Sequence, residues 1–141
     1  MVRIGIVGVG GIAQSVHIKE LKTYEDVKIT AVCDIHEETL NKVGDDLNIP
    51  AEYRFTDYND LVNCDIVDAV EICTPNHLHV EIATAVAKKG KAVEIEKPLA
   101  LRYEDTFELV EILKNNSLAI SSESILNPPI VMWGGTFPSS I

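Results

Sequence analysis

The feature that most constrains this chain is the regular alternation of short β-branched runs with stretches of helical spacing. Val2–Val7 and Val27–Cys33 are the first two runs, and residues 66–73 (IVDAVEIC) and 91–95 (KAVEI) the next two. Weaker candidates lie at 51–55 and 117–120. Between the runs, residues 11–23, 37–47, 76–89 and 103–115 have helical spacing. In the third of these, Leu78, Ile82, Ala85, Val86 and Lys89 trace one stripe of a helix. Lys88 and Lys89 followed by Gly90 then supply a helix stop, with cations in the last turn and a glycine after it. Parallel neighbours need a long crossover, and an α-helix is the usual one. The predicted fold is therefore α/β: three layers around a mostly parallel, doubly wound sheet. Its 141 residues amount to one domain, large enough to bury about two-thirds of the unfolded surface.

Chemistry enters at the first strand–helix junction. Gly8-x-Gly10-x-x-Ala13 follows the first run directly and opens the first helical stretch, and the second run ends at Asp34. Such a loop is informative only in this context, strand before and helix after, which is the Rossmann dinucleotide arrangement. Gly8 allows the tight turn, Gly10 lets a pyrophosphate approach the backbone, and Ala13 keeps the helix close to the strand. The anion lies on a helix N-terminus, where free N–H groups and the dipole favour it. Asp34 stands where a carboxylate meets adenosine ribose hydroxyls. No Lys or Arg follows it before Lys42, so a 2′-phosphate would face an unpaired carboxylate. NAD is expected over NADP. The competing reading is a glycine-rich turn in an unrelated α/β fold.

Two further motifs fall at strand ends, where open α/β sheets bind ligands. Cys73-Thr74-Pro75-Asn76-His77-x-His79 closes the third strong run, and Glu96-Lys97-Pro98 the fourth. The order G-x-G-x-x-A, Cys33-Asp34, T-P-N-x-x-H, Gly90-Lys91 and E-K-P resembles the Gfo/Idh/MocA family of sugar and cyclitol dehydrogenases over about residues 2–120. The resemblance implies a nicotinamide-dependent oxidoreductase acting on a secondary alcohol of a sugar, inositol or similar polyol. It implies that Gly8, Gly10, Gly11 and Ile12 hold the pyrophosphate and Asp34 the ribose. Thr74, Pro75, Asn76 and His79 would lie along the nicotinamide half. Glu96 and Lys97 would border nicotinamide and substrate, with Lys97 as the catalytic group hydrogen-bonding the reacting oxygen. Hydride leaves a carbinol carbon only as its hydroxyl proton departs, and an ammonium stabilises the developing charge. The competing reading of Lys97 is a surface lysine before a proline turn.

The remaining candidates are assigned structural roles. His77 and His79 are two apart, point in different directions on a helix and cannot share a metal, so no metal site is expected. His17 is expected mid-helix and partly exposed, and His36 in the turn after Asp34. Cys33 and Cys73 are expected as small buried hydrophobes. Glu71 and Glu94 sit in runs that should be central strands, apolar on both faces. If the strands are neighbours with Thr74 level with Lys97, the two carboxylates lie side by side. Either a covering lysine or an open sheet end solvates them, or they form a coupled pair with one raised pKa.

Charge and cysteine content narrow the partners. Lys+Arg 12 against Asp+Glu 22 gives a net charge of −10, which repels nucleic acid and anionic lipid. No apolar run approaches the roughly 18 residues of a membrane helix, and MVRIGIVGVGG does not read as a signal peptide. Three cysteines without a C-x-x-C fit a cytoplasmic protein with reduced thiols. The dinucleotide domain is expected over 1–120, followed by an irregular apolar tail over 121–141, with Pro128, Pro129 and Pro138 and the run Ile130-Val131-Met132-Trp133. Family members carry a second α+β domain beyond this point, and no counterpart of it is read here. A sugar or polyol substrate is the expected partner, with a homo-oligomer or a second polypeptide completing the site. The alternative is a non-catalytic dinucleotide-binding module or remnant.

Overall fold

A computed structural model describes residues 1–98 and 100–115, and the backbone of 120–122. Six strands form one sheet: β1 (Val2–Val7), β2 (Val27–Cys33), β3 (Arg54–Phe55), β4 (Ala69–Ile72), β5 (Ala92–Ile95) and β6 (Ile120–Ser122). Their order is β3-β2-β1-β4-β5-β6, and every pairing is parallel. Among the described residues the sheet is thus wholly parallel where a mostly parallel one was predicted. The first helical segment contains a π-helical turn, Ala13–His17, that runs into α1 (Ile18–Leu21). The other helices are α2 (Glu37–Asp46), α3 (Tyr58–Val62), α4 (His79–Lys88) and α5 (Tyr103–Asn115).

Parallel strands buried on both faces read as continuous apolar runs, and Ile4 to Val7 are all buried. Successive side chains then feed two separate cores. Ile4 and Ile6 pack with Ala13, Ile18, Leu40 and Val43 beneath the first helical segment and α2. Val7, Val70, Ile72 and Ile95 pack with Leu61, Ile82, Val86, Leu109 and Leu113 beneath α3, α4 and α5. Gly90 takes a left-handed φ of 73° and terminates the α4 hairpin to β5, as its sequence context predicts. The α4 stripe differs in detail: His79, Ile82, Ala83, Val86 and Ala87 are the buried set.

Several boundaries depart from the sequence reading, and β4 keeps only Ala69–Ile72 of the run at 66–73. The run at 51–55 is a 3₁₀ turn (Ala51–Tyr53) leading into the two-residue β3. α3 was not read at all. It is only five residues long, too short for periodicity, and starts where the Asp57 carboxylate accepts the Asn59 N–H at 2.8 Å. β6 extends two residues past the expected domain end, and the tail beyond Ser122 lies outside the described residues. Among the described residues, no helix is long and apolar enough to cross a membrane.

Candidate functional site

The chain turns from one half of the sheet to the other between β1 and β4, and this is where an open α/β sheet leaves a crevice at its carboxyl edge. The hydrogen-bond ladder continues one residue beyond each strand there. Gly8 N–H donates to Cys33 O (2.8 Å), Asp34 N–H to Phe55 O (3.1 Å), Cys73 N–H to Val7 O (2.9 Å) and Glu96 N–H to Ile72 O (2.9 Å). Gly8, Asp34, Cys73 and Glu96 are therefore held level along one edge.

Gly8 is the residue the turn cannot replace. Its φ is +86°, and a Cβ there would stand 2.9 Å from the Cys73 carbonyl and the Thr74 nitrogen. The first turn thus lies against the backbone leaving β4. Gly10 and Gly11 are exposed, and a Cβ at either would meet nothing within 4 Å. The space over the helix start is open, where the first-turn N–H groups have no intrahelical acceptor. Ala13, by contrast, is fully buried, as close helix–strand packing requires.

A cleft of about 530 Å³ opens from this turn, lined by Gly8, Gly10, Asp34, Thr74 and Pro75 among others. Asp34 Oδ2 accepts the Val9 N–H and Oδ1 the His36 N–H, both at 2.9 Å. The carboxylate is fixed by backbone and keeps further lone pairs for a ligand. Thr74 Oγ1 is buried without a hydrogen-bond partner. An orphaned hydroxyl, a glycine cradle and a fixed carboxylate along one crevice suit a dinucleotide. Sequence reading missed that Ile35, Thr56, Asp57 and Tyr58 line the same cleft. Thr56 to Tyr58 come from the start of the short helix that carried no signal. Ile35 is 79% exposed, an apolar side chain presented to the cleft mouth.

The other predicted residues are placed as follows. Ile12 is half exposed beside the glycines, and Asn76 is exposed on the 3₁₀ turn Asn76–Leu78. Lys97 is exposed two residues after β5. His79 is fully buried, and its ring nitrogens face Thr74 O and Pro98 O, each at 2.8 Å. It joins the loop after β4 to the Lys97–Pro98 segment instead of lining the cleft. Cys33 is buried, and burial pushes its thiol up to about 12. Cys73 is half-buried and its thiol is also pushed up, first by burial and then by Glu71, so neither sulfur is a ready nucleophile.

His17 differs most from its reading. Expected partly exposed on a helix, its side chain is only 11% exposed. Nδ1 meets Glu71 Oε1, and Nε2 lies 2.6 Å from Glu96 Oε2. Glu96 thereby turns its carboxylate to His17. Glu71 and Glu94 are indeed register partners, as are Ile72 and Ile95, which sets Thr74 level with Lys97. Glu94 is exposed, whereas Glu71 is buried and burial raises its carboxyl to about 7, with His17 opposing and Glu94 adding to the rise. The partner of Glu71 is a histidine from the first helical segment, where a covering lysine or an open sheet end was one reading and a coupled pair with one raised pKa the other. Glu71 and Cys73 are two positions apart on one face, and His17, Glu71 and Cys73 bring ligand-type atoms within 4.8 Å of one another. Both imidazole nitrogens are occupied by carboxylates, which makes the cluster a hydrogen-bonded bridge.

The parallel 3-2-1-4-5-6 sheet and the glycine-floored cleft at its β1–β4 crossover define a dinucleotide-binding α/β domain. Residues 2–124 match the Gfo/Idh/MocA model, described as an oxidoreductase family with an NAD-binding Rossmann fold, and the chain belongs to that family. It is 34% identical over 112 residues to myo-inositol 2-dehydrogenase of Thermotoga maritima, covering 79% of this chain and 33% of the relative. It is 38% identical over 110 residues to inositol 2-dehydrogenase/D-chiro-inositol 3-dehydrogenase of Lactiplantibacillus plantarum, covering 77% of this chain and 31% of the relative. The WlbA dehydrogenase of Bordetella pertussis, solved with NADH and UDP-GlcNAcA, superposes with a TM-score of 0.79 at 28% identity, over 86% of this chain and 36% of that one. The chain spans about a third of the length of these relatives.

Proposed function

We propose that this chain is the cofactor-binding part of a nicotinamide-dependent dehydrogenase acting on a secondary alcohol of a sugar or cyclitol, with NAD preferred to NADP. The observation that carries the cofactor preference is Asp34, fixed by the Val9 and His36 N–H groups with lone pairs left for two ribose hydroxyls. A 2′-phosphate would meet this carboxylate, which has no ion pair among the described residues. Arg54, on the neighbouring strand, has its guanidinium engaged by Ile49 O at 2.8 Å and Asp45 at 2.9 Å. Gly8, Gly10, Gly11 and Ile12 would hold the pyrophosphate at the helix start, and Ile35 would support the adenine. Thr74 Oγ1, Pro75 and Asn76 would contact the nicotinamide half, with Glu96 and Lys97 at its end and His79 bracing both loops.

The bound cofactor supplies the hydride acceptor, and the protein supplies orientation and charge. Lys97 would donate to the substrate oxygen and stabilise the negative charge that grows as the hydroxyl proton leaves. The inositol dehydrogenases among the relatives support a cyclitol substrate. Calorimetric titration of the purified chain with NADH and then NADPH tests the reading. Saturable binding with NADH tighter is the expected result. No binding of either, or tighter NADPH, refutes the corresponding part.

A further inference from the structure

The Glu71–His17–Glu96 bridge stands beside the cleft and ends one residue before Lys97. His17 comes from the π-helical turn after the glycine loop, Glu71 from β4, and Glu96 from the segment leaving β5. One imidazole thus joins three segments at the carboxyl edge of the sheet. The side chains of Glu71 and Glu96 are 4% and 14% exposed. Two carboxylates this dry on neighbouring strands repel each other, and only a proton-carrying group between them relieves it.

The two contacts need two shared protons. Either the imidazolium donates to both carboxylates, or a protonated Glu71 donates to Nδ1 while the Nε2–H donates to Glu96. Both arrangements have the same geometry and a net charge of −1. Removing one proton leaves a lone pair facing a lone pair and breaks one arm. The other titratable groups facing the bridge favour keeping both protons. Glu20 and Tyr24 face it from α1 and the turn after it, Cys73 from just past β4, and Glu94 from β5. Glu71 Oε2 is buried without a partner, so burial holds this carboxyl protonated up to about pH 7. Loss of the second proton therefore opens the bridge at its Glu71 arm.

We propose that His17 is a positioning residue for the Glu96–Lys97 strand end, and that its bridge makes cofactor affinity depend on one proton. This rests on the reading of the chain as a nicotinamide-binding domain. With the bridge intact, Glu96 is tethered and the backbone entering Lys97 is held. When the Glu71 arm opens, the imidazole that holds Glu96 loses its own anchor on β4, and the nicotinamide end of the cleft loosens.

The test is NADH affinity of the whole chain between about pH 5.5 and 8.5, for the natural protein, His17→Gln and the near-isosteric Glu71→Gln. The natural protein is expected to bind several-fold more weakly above neutrality. His17→Gln weakens binding by about tenfold at pH 6, and Glu71→Gln flattens the pH profile. Natural affinity and pH profile in His17→Gln, or an unaltered profile in Glu71→Gln, overturns the proposal. Amide exchange of Glu96, whose N–H is bonded to Ile72 O, is read in parallel. It is expected to quicken about tenfold in His17→Gln. If the natural chain binds no NADH, the cofactor reading fails by itself. Exchange then decides the tether, and an unchanged Glu96 rate overturns it.

Discussion

At the scale of single residues, the cleft separates positions that shape the backbone from positions that would meet the ligand. Gly8 belongs to the first kind. Gly8→Ala places a Cβ 2.9 Å from backbone at a left-handed φ, so neither rotamer change nor side-chain movement relieves it. A loss of about 2 kcal/mol is expected, read as a lower denaturant midpoint. Asp34 belongs to the second kind. Asp34→Ala removes two hydroxyl acceptors, and NADH affinity should fall by about tenfold or more while NADPH affinity changes less. Equal losses of both in calorimetry would refute the ribose role. Lys97 is exposed, so Lys97→Ala should leave NADH affinity within a few-fold. Abolished binding would mean that the lysine is structural. The glycines and Asp34 were legible because their role is local: a φ value, a gap, a strand end. His17 was not, because its partners lie 54 and 79 positions away and appear only once β4 and β5 stand beside the first helical segment.

At the scale of elements, periodicity worked where a segment was long. β1, β2 and α5 have the boundaries predicted for them, and α2 and α4 are each within a few residues. It failed where tertiary contact alone defines an element. β3 has two residues and is a strand only because Arg54 and Phe55 pair with Val32 and Cys33. The stripe on α4 identified a helix but not the polar contact at its start. His79 at the first position of α4 faces Thr74 O and Pro98 O from a fully buried site. His79→Ala removes the ring nitrogens that face those carbonyls and opens a void. A destabilisation of about 3 kcal/mol is expected in urea unfolding, together with weaker NADH binding. Loss of stability without loss of affinity would mean that the two loops hold their places without it.

At the scale of the whole molecule, two carboxylates give the pH dependence of stability opposite slopes. Asp68, paired with Arg3 at 2.6 Å, is held at about 2 in the fold. Its contribution is present above its unfolded value near 4 and is lost as pH falls through about 2. The pair is 41% exposed on each side, so it is worth under about 1 kcal/mol. Glu71 is raised to about 7 by burial, so its contribution is full below its unfolded value and lost as pH rises through about 7. Thermal midpoints should therefore decline between about pH 5 and 8. Glu71→Gln should remove most of that decline, and a parallel decline in this variant would assign it to other groups. The hydrogen bonds that carry the ladder past the ends of β1, β2, β4 and β5 have a kinetic counterpart. A crevice whose floor is built from its own backbone pairing has little to rearrange when a ligand arrives. Association should then be a single step, its observed rate rising linearly with ligand concentration and showing no plateau.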